Sequence, residues 1–413
     1  MTFEAAVQYL LGLGHEVLTM KLGLRNTELL LDALDNPERA FPSVQIAGTN
    51  GKGSTAVMLD SICRAGGIKV GLYTSPHLAS ITERIRVAGE AITLEEFAAC
   101  ATTVRDVSEQ LLRDKQIEAL PTFFEQLTAI ALLAFRNAGI DLAILETGLG
   151  GRLDSTTAAN ARIVAITQIA MDHEQYLGHT LESIASEKAA IIRPDVQAVI
   201  AKQEPEVMAV LLQRCKETGV VPILDDEPRY ENVSLGLRGR HQIDNAAVAI
   251  RVAELLRIPH SAIVSGLENV QHPGRLELIE HKPPFLLDGA HNPAGCKSLR
   301  AYLEEFAPGP LTLVFGAMQD KQLDQMGAIL FPVADVLILT PVENPRTASI
   351  EILRSIADRF ARVTAIETNS SGEALQVAIA RTPPGGLICI AGSLYLIGEL
   401  RPSILKMRLE ERT

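Results

Sequence analysis

The chain has no tryptophan, and aromatic residues make up only 4% of its 413 positions, so Leu, Ile, Val and Ala must fill its core. Basic residues are also in deficit. With 38 Lys and Arg against 50 Asp and Glu, the formal net charge is -12 and the pI is near 5.3. This balance repels a phosphate backbone or an anionic bilayer, so neither nucleic-acid nor membrane binding is expected. Any anionic ligand has to be met by local positive charge or by backbone N–H groups. Cysteine is sparse as well: Cys63, Cys100, Cys215, Cys296 and Cys389 are odd in number, scattered and free of any C-x-x-C pair. That excludes a disulfide framework or a zinc site and fits a reducing cytoplasm. Apolar runs such as Ala129 to Phe135 fall short of the ~18 to 20 residues that span a bilayer. The opening Met1-Thr2-Phe3-Glu4-Ala5 has an early acid and no basic region before an apolar stretch, which argues against a secretory leader.

The 47% of residues that are hydrophobic, against 21% charged, suffice for a globular fold. The length suggests two domains at roughly 150 residues each or more. Short β-rich runs at Val44–Ala47, Val70–Tyr73, Leu142–Glu146, Ile163–Thr167 and Ala198–Ala201 alternate with helical patterns and read as buried parallel strands. A second such series runs through Phe285–Asp288, Leu311–Phe315, Val336–Leu339 and Leu387–Ala391. The pattern predicts an α/β fold with ligands at the carboxyl ends of the strands. The prolines between His281 and Pro284, just after an apparent strand at Leu276–Ile279, predict the linker and hinge, giving domains of residues 1–281 and 282–413.

The strongest local signal is Val44-Gln45-Ile46-Ala47-Gly48-Thr49-Asn50-Gly51-Lys52-Gly53-Ser54-Thr55, a strand entering a Gly-rich turn and then a helix. In this order glycines let backbone N–H groups face a phosphate, Lys52 neutralises its charge, and a hydroxyl at the helix start can approach Mg²⁺. The spacing differs from G-x-x-x-x-G-K-[ST], because Gly53 separates Lys52 from Ser54. At the end of the Leu142–Glu146 run, Glu146 precedes a series of glycines, where an apolar strand leaves a carboxylate needing a cation or several N–H donors.

A-G-T-N-G-K-G-S-T resembles the nucleotide loop of the Mur-ligase superfamily and of its folylpolyglutamate synthase/dihydrofolate synthase branch. Further segments resemble that branch in family order: Ser75-Pro76-His77-Leu78 with Glu83-Arg84-Ile85-Arg86, Glu146-Thr147-Gly148-Leu149-Gly150-Gly151-Arg152-Leu153-Asp154, Asp172-His173, and Glu187-Lys188-Ala189-Ala190-Ile191. His241-Gln242-Ile243-Asp244-Asn245-Ala246, Pro273-Gly274-Arg275-Leu276-Glu277, Asp288-Gly289-Ala290-His291-Asn292-Pro293 and Gly392-Ser393-Leu394-Tyr395 continue the series. The resemblance covers Ala47 to Tyr395, with Ala190 where the family usually has Gly. It implies an N-terminal P-loop-type Mur-ligase central domain, mainly parallel with flanking helices, and a C-terminal Rossmann-like amino-acid-binding domain.

The resemblance also implies roles. Gly48, Thr49, Asn50, Gly51, Lys52, Gly53, Ser54, Thr55, Asn245, Arg275 and Asp288 would bind ATP. Ser54, Ser75, Glu146, His173 and, if carbamylated, Lys188 would hold Mg²⁺, with a monovalent cation such as K⁺ as an additional candidate. His173 rests on the resemblance alone, because imidazole is an unusual partner for Mg²⁺. Lys52, Lys188, Arg275 and His291 would be catalytic, and His291 and Ser393 would face glutamate. A pterin-type substrate would meet Thr122, Phe123, Phe124, Glu125, Leu153, Asp154 and Ser155, although adjacent phenylalanines serve equally as helix core. The implied reaction is ATP-dependent ligation of L-glutamate to a folate or dihydropteroate carboxylate through an acyl phosphate, in a cytoplasmic monomer whose domains close around it. Another Mur-type amino-acid ligase and a nucleotide-gated binding module are the alternatives.

Overall fold

The computed structural model describes residues 1–14, 23–224, 233–307 and 309–410. Close contacts divide the chain into two compact units: Met1–Ala170 with Glu174–Leu235 and Asp244–Val270, and Met171–His173 with Gly236–Ile243 and Gln271–Thr413.

The first unit is built on an eight-stranded sheet of β1 (Ser43–Ala47), β2 (Val70–Tyr73), β3 (Ile85–Val87), β4 (Glu90–Ala91), β5 (Leu142–Glu146), β6 (Ile163–Ile166), β7 (Gln197–Ile200) and β8 (Ile223–Leu224), in the order β4-β3-β2-β5-β1-β6-β7-β8. The strands from β2 to β8 in that order are parallel, while β3 and β4 add an antiparallel edge. β1, β2, β5 and β6 are buried along their full length, as parallel strands covered by helices on both faces must be. The helix Lys52–Ala65 packs against the helix His260–Asn269 so closely that a Cβ on Gly266 would meet the Ile62 backbone at 2.4 Å, and Ser61 Oγ donates to Gly266 O at 2.8 Å. On the other face the helix Phe123–Ala138 contributes Leu127, Ile130 and Phe135 to a core shared with Leu10, Leu31, Tyr73 and Phe97.

The second unit carries a six-stranded sheet of β9 (Glu277–Ile279), β10 (Phe285–Asp288), β11 (Leu311–Phe315), β12 (Val336–Leu339), β13 (Ile366–Glu367) and β14 (Leu387–Ala391), ordered β13-β12-β11-β14-β10-β9. It is parallel except for β9, which runs antiparallel to β10 with Ile279 opposite Phe285. Its core gathers Leu286, Leu313, Phe315, Phe331, Leu337 and Cys389. The expected α/β architecture with two parallel-rich sheets is therefore present. The stretch expected as the linker falls within a hairpin. Residues 280–284 are the turn of the β9–β10 hairpin, and close contacts group 271–281 with the second unit.

All five cysteines are free and buried, and burial pushes the Cys63 thiol up to about 12. A thiolate is the reactive form, so Ellman's reagent is expected to titrate none of the five in the native protein and all five after denaturation. Among the described residues no helix is long and apolar enough to cross a membrane.

Candidate active site

β1 delivers the phosphate-type loop. Ala47 ends the strand, Gly48 takes a φ of +151° and Gly51 one of +88°, and the helix begins at Lys52. Both glycines are required by space as well as by backbone. A Cβ on Gly48 would lie 1.9 Å from Thr167 Oγ1, and one on Gly51 would lie 2.0 Å from Asn245 Oδ1. The loop is tied to the end of β6, because the Thr49 and Asn50 amides donate to Gln168 O at 2.9 and 3.1 Å and Thr49 Oγ1 donates to Ala170 O at 3.0 Å. Lys52 Nζ curls back to donate to Gly48 O and Thr49 O, both at 3.1 Å.

A second cation reaches the same point. Lys188, on the helix Leu181–Ala189, is buried, and its Nζ donates to Gly48 O at 2.8 Å. Two ammonium groups thus share one carbonyl oxygen. They lie beside the N–H groups at the start of the Lys52–Ala65 helix, an arrangement chemically suited to an anion.

The glycine loop after β5 supports this arrangement. A Cβ on Gly151 would stand 2.9 Å from Glu187 O and 3.1 Å from Lys188 O, so only glycine lets the loop dock on the Lys188 helix. Arg152 pairs with Glu187 at 2.8 Å. From below, buried Gln45 of β1 donates through Nε2 to Thr147, Thr156 and Thr157 at 3.3, 3.1 and 2.7 Å. Glu146, also buried, accepts from the Ser75 amide through Oε2 at 3.0 Å. Ser54 is buried in the first turn of the Lys52–Ala65 helix.

The residues expected at a pterin divide by function. Thr122 and Glu125 form a capping box at the start of the Phe123–Ala138 helix, and Glu125 also accepts from Thr27 Oγ1 at 3.1 Å. Phe123 is buried, with the Arg84 guanidinium 5.7 Å from its ring centre. Asp154 accepts from the Gly148, Leu149 and Thr156 amides and from Thr156 Oγ1. Burial pushes its carboxyl up, against these bonds. Ser155 Oγ lies 2.6 Å from Thr128 Oγ1. Phe124 and Leu153 are partly exposed; the Phe124 ring lies against Gly148, where a Cβ would meet it at 2.4 Å, and 5.9 Å from the Tyr73 ring centre.

In the second unit the loop after β10 is equally specified. Asp288 is buried and accepts from the Leu276 and Ala290 amides at 2.9 and 3.0 Å. Burial raises its carboxyl, opposed by the charge of Arg275. Arg275 Nη1 donates to Gly289 O at 3.2 Å. His291 Nδ1 is 2.8 Å from the same carbonyl, which fixes the proton on that nitrogen, since a carbonyl can only accept. Asn292 caps the helix Pro293–Phe306 by accepting from Gly295 N at 2.8 Å. Ser393 is buried, and its Oγ accepts from Tyr395 N at 3.1 Å. His173, grouped with this unit, has a left-handed backbone at φ +51°.

Comparison with known proteins places this geometry. A Mur ligase middle domain matches residues 46–224 and a Mur ligase, glutamate ligase domain matches residues 274–394. The dihydrofolate synthase/folylpolyglutamate synthase of Bacillus subtilis is 32% identical over 92% of this chain and 95% of its own length. The chain belongs to the folylpolyglutamate synthase/dihydrofolate synthase family. It is also 34% identical, over 97% of its length, to a probable bifunctional folylpolyglutamate synthase/dihydropteroate synthase of Haloferax volcanii, but spans only 50% of that protein. The structure of Escherichia coli FolC in complex with DHPP and ADP superposes with a TM-score of 0.88 at 29% identity, covering 99% of both chains.

Against this family frame, two residues stand at the second-unit site without having been singled out from the sequence. Lys321 follows β11 in Gly316-Ala317-Met318-Gln319-Asp320-Lys321, and Asp172 precedes the His173 that drew attention. Burial alone would raise the Asp172 carboxyl. The nearby His291, His173 and Lys321 outweigh it and hold Asp172 well below the usual carboxylate range. His291 Nε2 lies 3.7 Å from Asp172 Oδ2, beyond hydrogen-bond distance.

Proposed function

We propose that this family member is an ATP-dependent carboxylate–amine ligase that adds L-glutamate to a folate or dihydropteroate carboxylate. The observation that carries the reading is the match of the second unit to a glutamate ligase domain in a chain whose glycine loop after β1 draws Lys52 and Lys188 together on Gly48 O. That Escherichia coli FolC is known in complex with DHPP and ADP supports the substrate pair.

A free carboxylate is a poor electrophile. In the reaction we propose, its oxygen attacks the γ-phosphorus of ATP, the bond to the β-phosphate oxygen breaks and ADP departs. The amine of glutamate then attacks the acyl carbon, releasing phosphate and a proton. Lys52 and the helix start hold the transferred phosphoryl group and neutralise its charge. Gly51 and Asn245 shape the nucleotide side of the loop, Phe124 offers a face for the pterin-type ring, and Arg275, Asp288, His291 and Ser393 belong to the nucleotide and amino-acid positions of the second unit.

A divalent cation fits the donor set. The buried Glu146 carboxylate, oriented by the Ser75 amide, with the hydroxyls of Ser54 and Ser75, would supply hard oxygen ligands of the kind Mg²⁺ takes. Bound Mg²⁺ supplies charge neutralisation at the phosphates. As a carbamate, Lys188 would keep one N–H on its nitrogen for Gly48 O while offering an anionic oxygen to a second cation. K⁺ is the additional cofactor to test, and the reducing cytoplasm is the compartment we propose.

The test is ADP release with Mg²⁺-ATP, L-glutamate and, separately, dihydropteroate or tetrahydrofolate, with products read by mass. Glutamate-dependent release with a one-glutamate mass increase is expected with at least one acceptor. ATP turnover indifferent to glutamate and both acceptors would leave a nucleotide-gated module instead.

A further inference from the structure

The second unit ties three loops to a single buried carboxylate. Asp172 Oδ1 accepts from Lys321 Nζ at 2.8 Å and from the His173 amide at 2.9 Å, and Oδ2 accepts from Asn292 Nδ2 at 3.2 Å. His291 Nε2 and His173 Nε2 lie 3.7 and 3.9 Å from Oδ2. The donors come from the His173 turn, from the loop after β10 and from the loop after β11. Lys321 and Asp172 side chains are each only 9% exposed, so the pair is too dry to be a casual surface contact.

Each partner is also held at a second point. His291 is anchored through Nδ1 on Gly289 O, so its ring rotation is set and Nε2 turns to Asp172. Asn292 is anchored through Oδ1 on the Gly295 amide, so only its Nδ2 faces the carboxylate. The left-handed turn at His173 is costly for a non-glycine residue and is closed by the bond from its own amide to Asp172.

We propose that Asp172 is a positioning residue of the amino-acid site, setting the Lys321 ammonium and the His291 imidazole in one fixed arrangement for the incoming glutamate. The inference rests on the ligase reading above. Asp172 acts through its partners: the buried anion takes hydrogen bonds from Lys321 and Asn292, and Asn292 adjoins His291, whose Nε2 stands 3.7 Å from Oδ2.

The test variant is Asp172→Asn, which keeps the size but offers one acceptor and one NH₂. Whichever way the amide lies, a donor opposes a donor, at Lys321 or at Asn292. The expected result is a KM for L-glutamate raised ~10- to 100-fold, with kcat changed less and the KM for ATP within about twofold. The imidazole ¹⁵N resonance of His291, identified by its loss in His291→Gln, is expected to shift. Unchanged glutamate KM and His291 resonance, or an equal loss across all substrates, overturns the proposal. If Asp172→Asn does not fold, Lys321→Met, which keeps the carboxylate and removes one strap, is expected to show the same KM split, and its absence overturns the proposal equally. Should the unaltered protein show no glutamate-dependent ADP release, the ligase reading fails by itself, and the His291 resonance then decides the positioning alone.

Discussion

Replacing Lys52 with alanine is expected to lower ligase turnover by about 10³-fold, the scale set by removing one charged donor from a developing phosphoryl charge. The side chain is held at two points. Its Nζ donates to Gly48 O and Thr49 O, two carbonyls of the loop whose shape Gly48 and Gly51 permit, so the ammonium sits where the loop closes on itself. Removing it leaves Lys188 on Gly48 O and leaves the helix start in place, so ADP binding should weaken far less than turnover. Lys52→Arg is not expected to rescue, because a planar fork cannot replace a compact ammonium between two carbonyls 3.1 Å away. The measurements are steady-state kcat with saturating acceptor and glutamate, and ADP affinity by calorimetry. A kcat within tenfold of the unaltered protein would remove Lys52 from the phosphate site.

Much of this candidate site was legible in the sequence, for a physical reason. Parallel strands buried on both faces leave runs such as Leu142–Leu145 and Leu311–Phe315, and the chemistry lies where those runs end in Gly, Lys, Asp or Glu. What was not legible depends on distant or very short pairings. β4, β8 and β13 are two residues long and carry no period to read. The prolines at Pro283 and Pro284 read as a linker because the one signal against it, the pairing of β9 with β10, lies outside the proline run. The bond from Lys321 to Asp172 joins residues 149 apart, and nothing local in either sequence announces the other. Thr122 and Glu125 carry a local signal of their own. T-x-x-E is itself a capping-box signature, and both side chains take that local role at the start of the Phe123–Ala138 helix. Phe123 and Phe124 were open between core and ligand, and helix geometry separates them by about 100°, turning the first into the core and the second against Gly148.

Glu146→Gln is the substitution expected to separate catalysis from stability most cleanly. Glutamine keeps the length and can still accept from the Ser75 amide, which donates to Oε2 at 3.0 Å in the native protein. What it removes is the negative charge at the buried end of β5. A buried anion is costly to the apo fold, so the thermal midpoint without Mg²⁺ should stay level or rise. If the carboxylate is a cation ligand, its loss should cut kcat by roughly 10²- to 10³-fold. The Mg²⁺ concentration for half-maximal rate should rise by about tenfold or more, the cost of losing a ligand's charge or its support. Opposite signs for stability and activity mark a group kept for chemistry against its cost to folding. The decisive measurement is rate against Mg²⁺ concentration for both proteins, with EDTA restoring the apo baseline. If Glu146→Gln saturates at the same Mg²⁺ concentration with kcat within a few-fold, the carboxylate serves only to hold the Ser75 loop, and the cation must be held by other oxygens of the first unit.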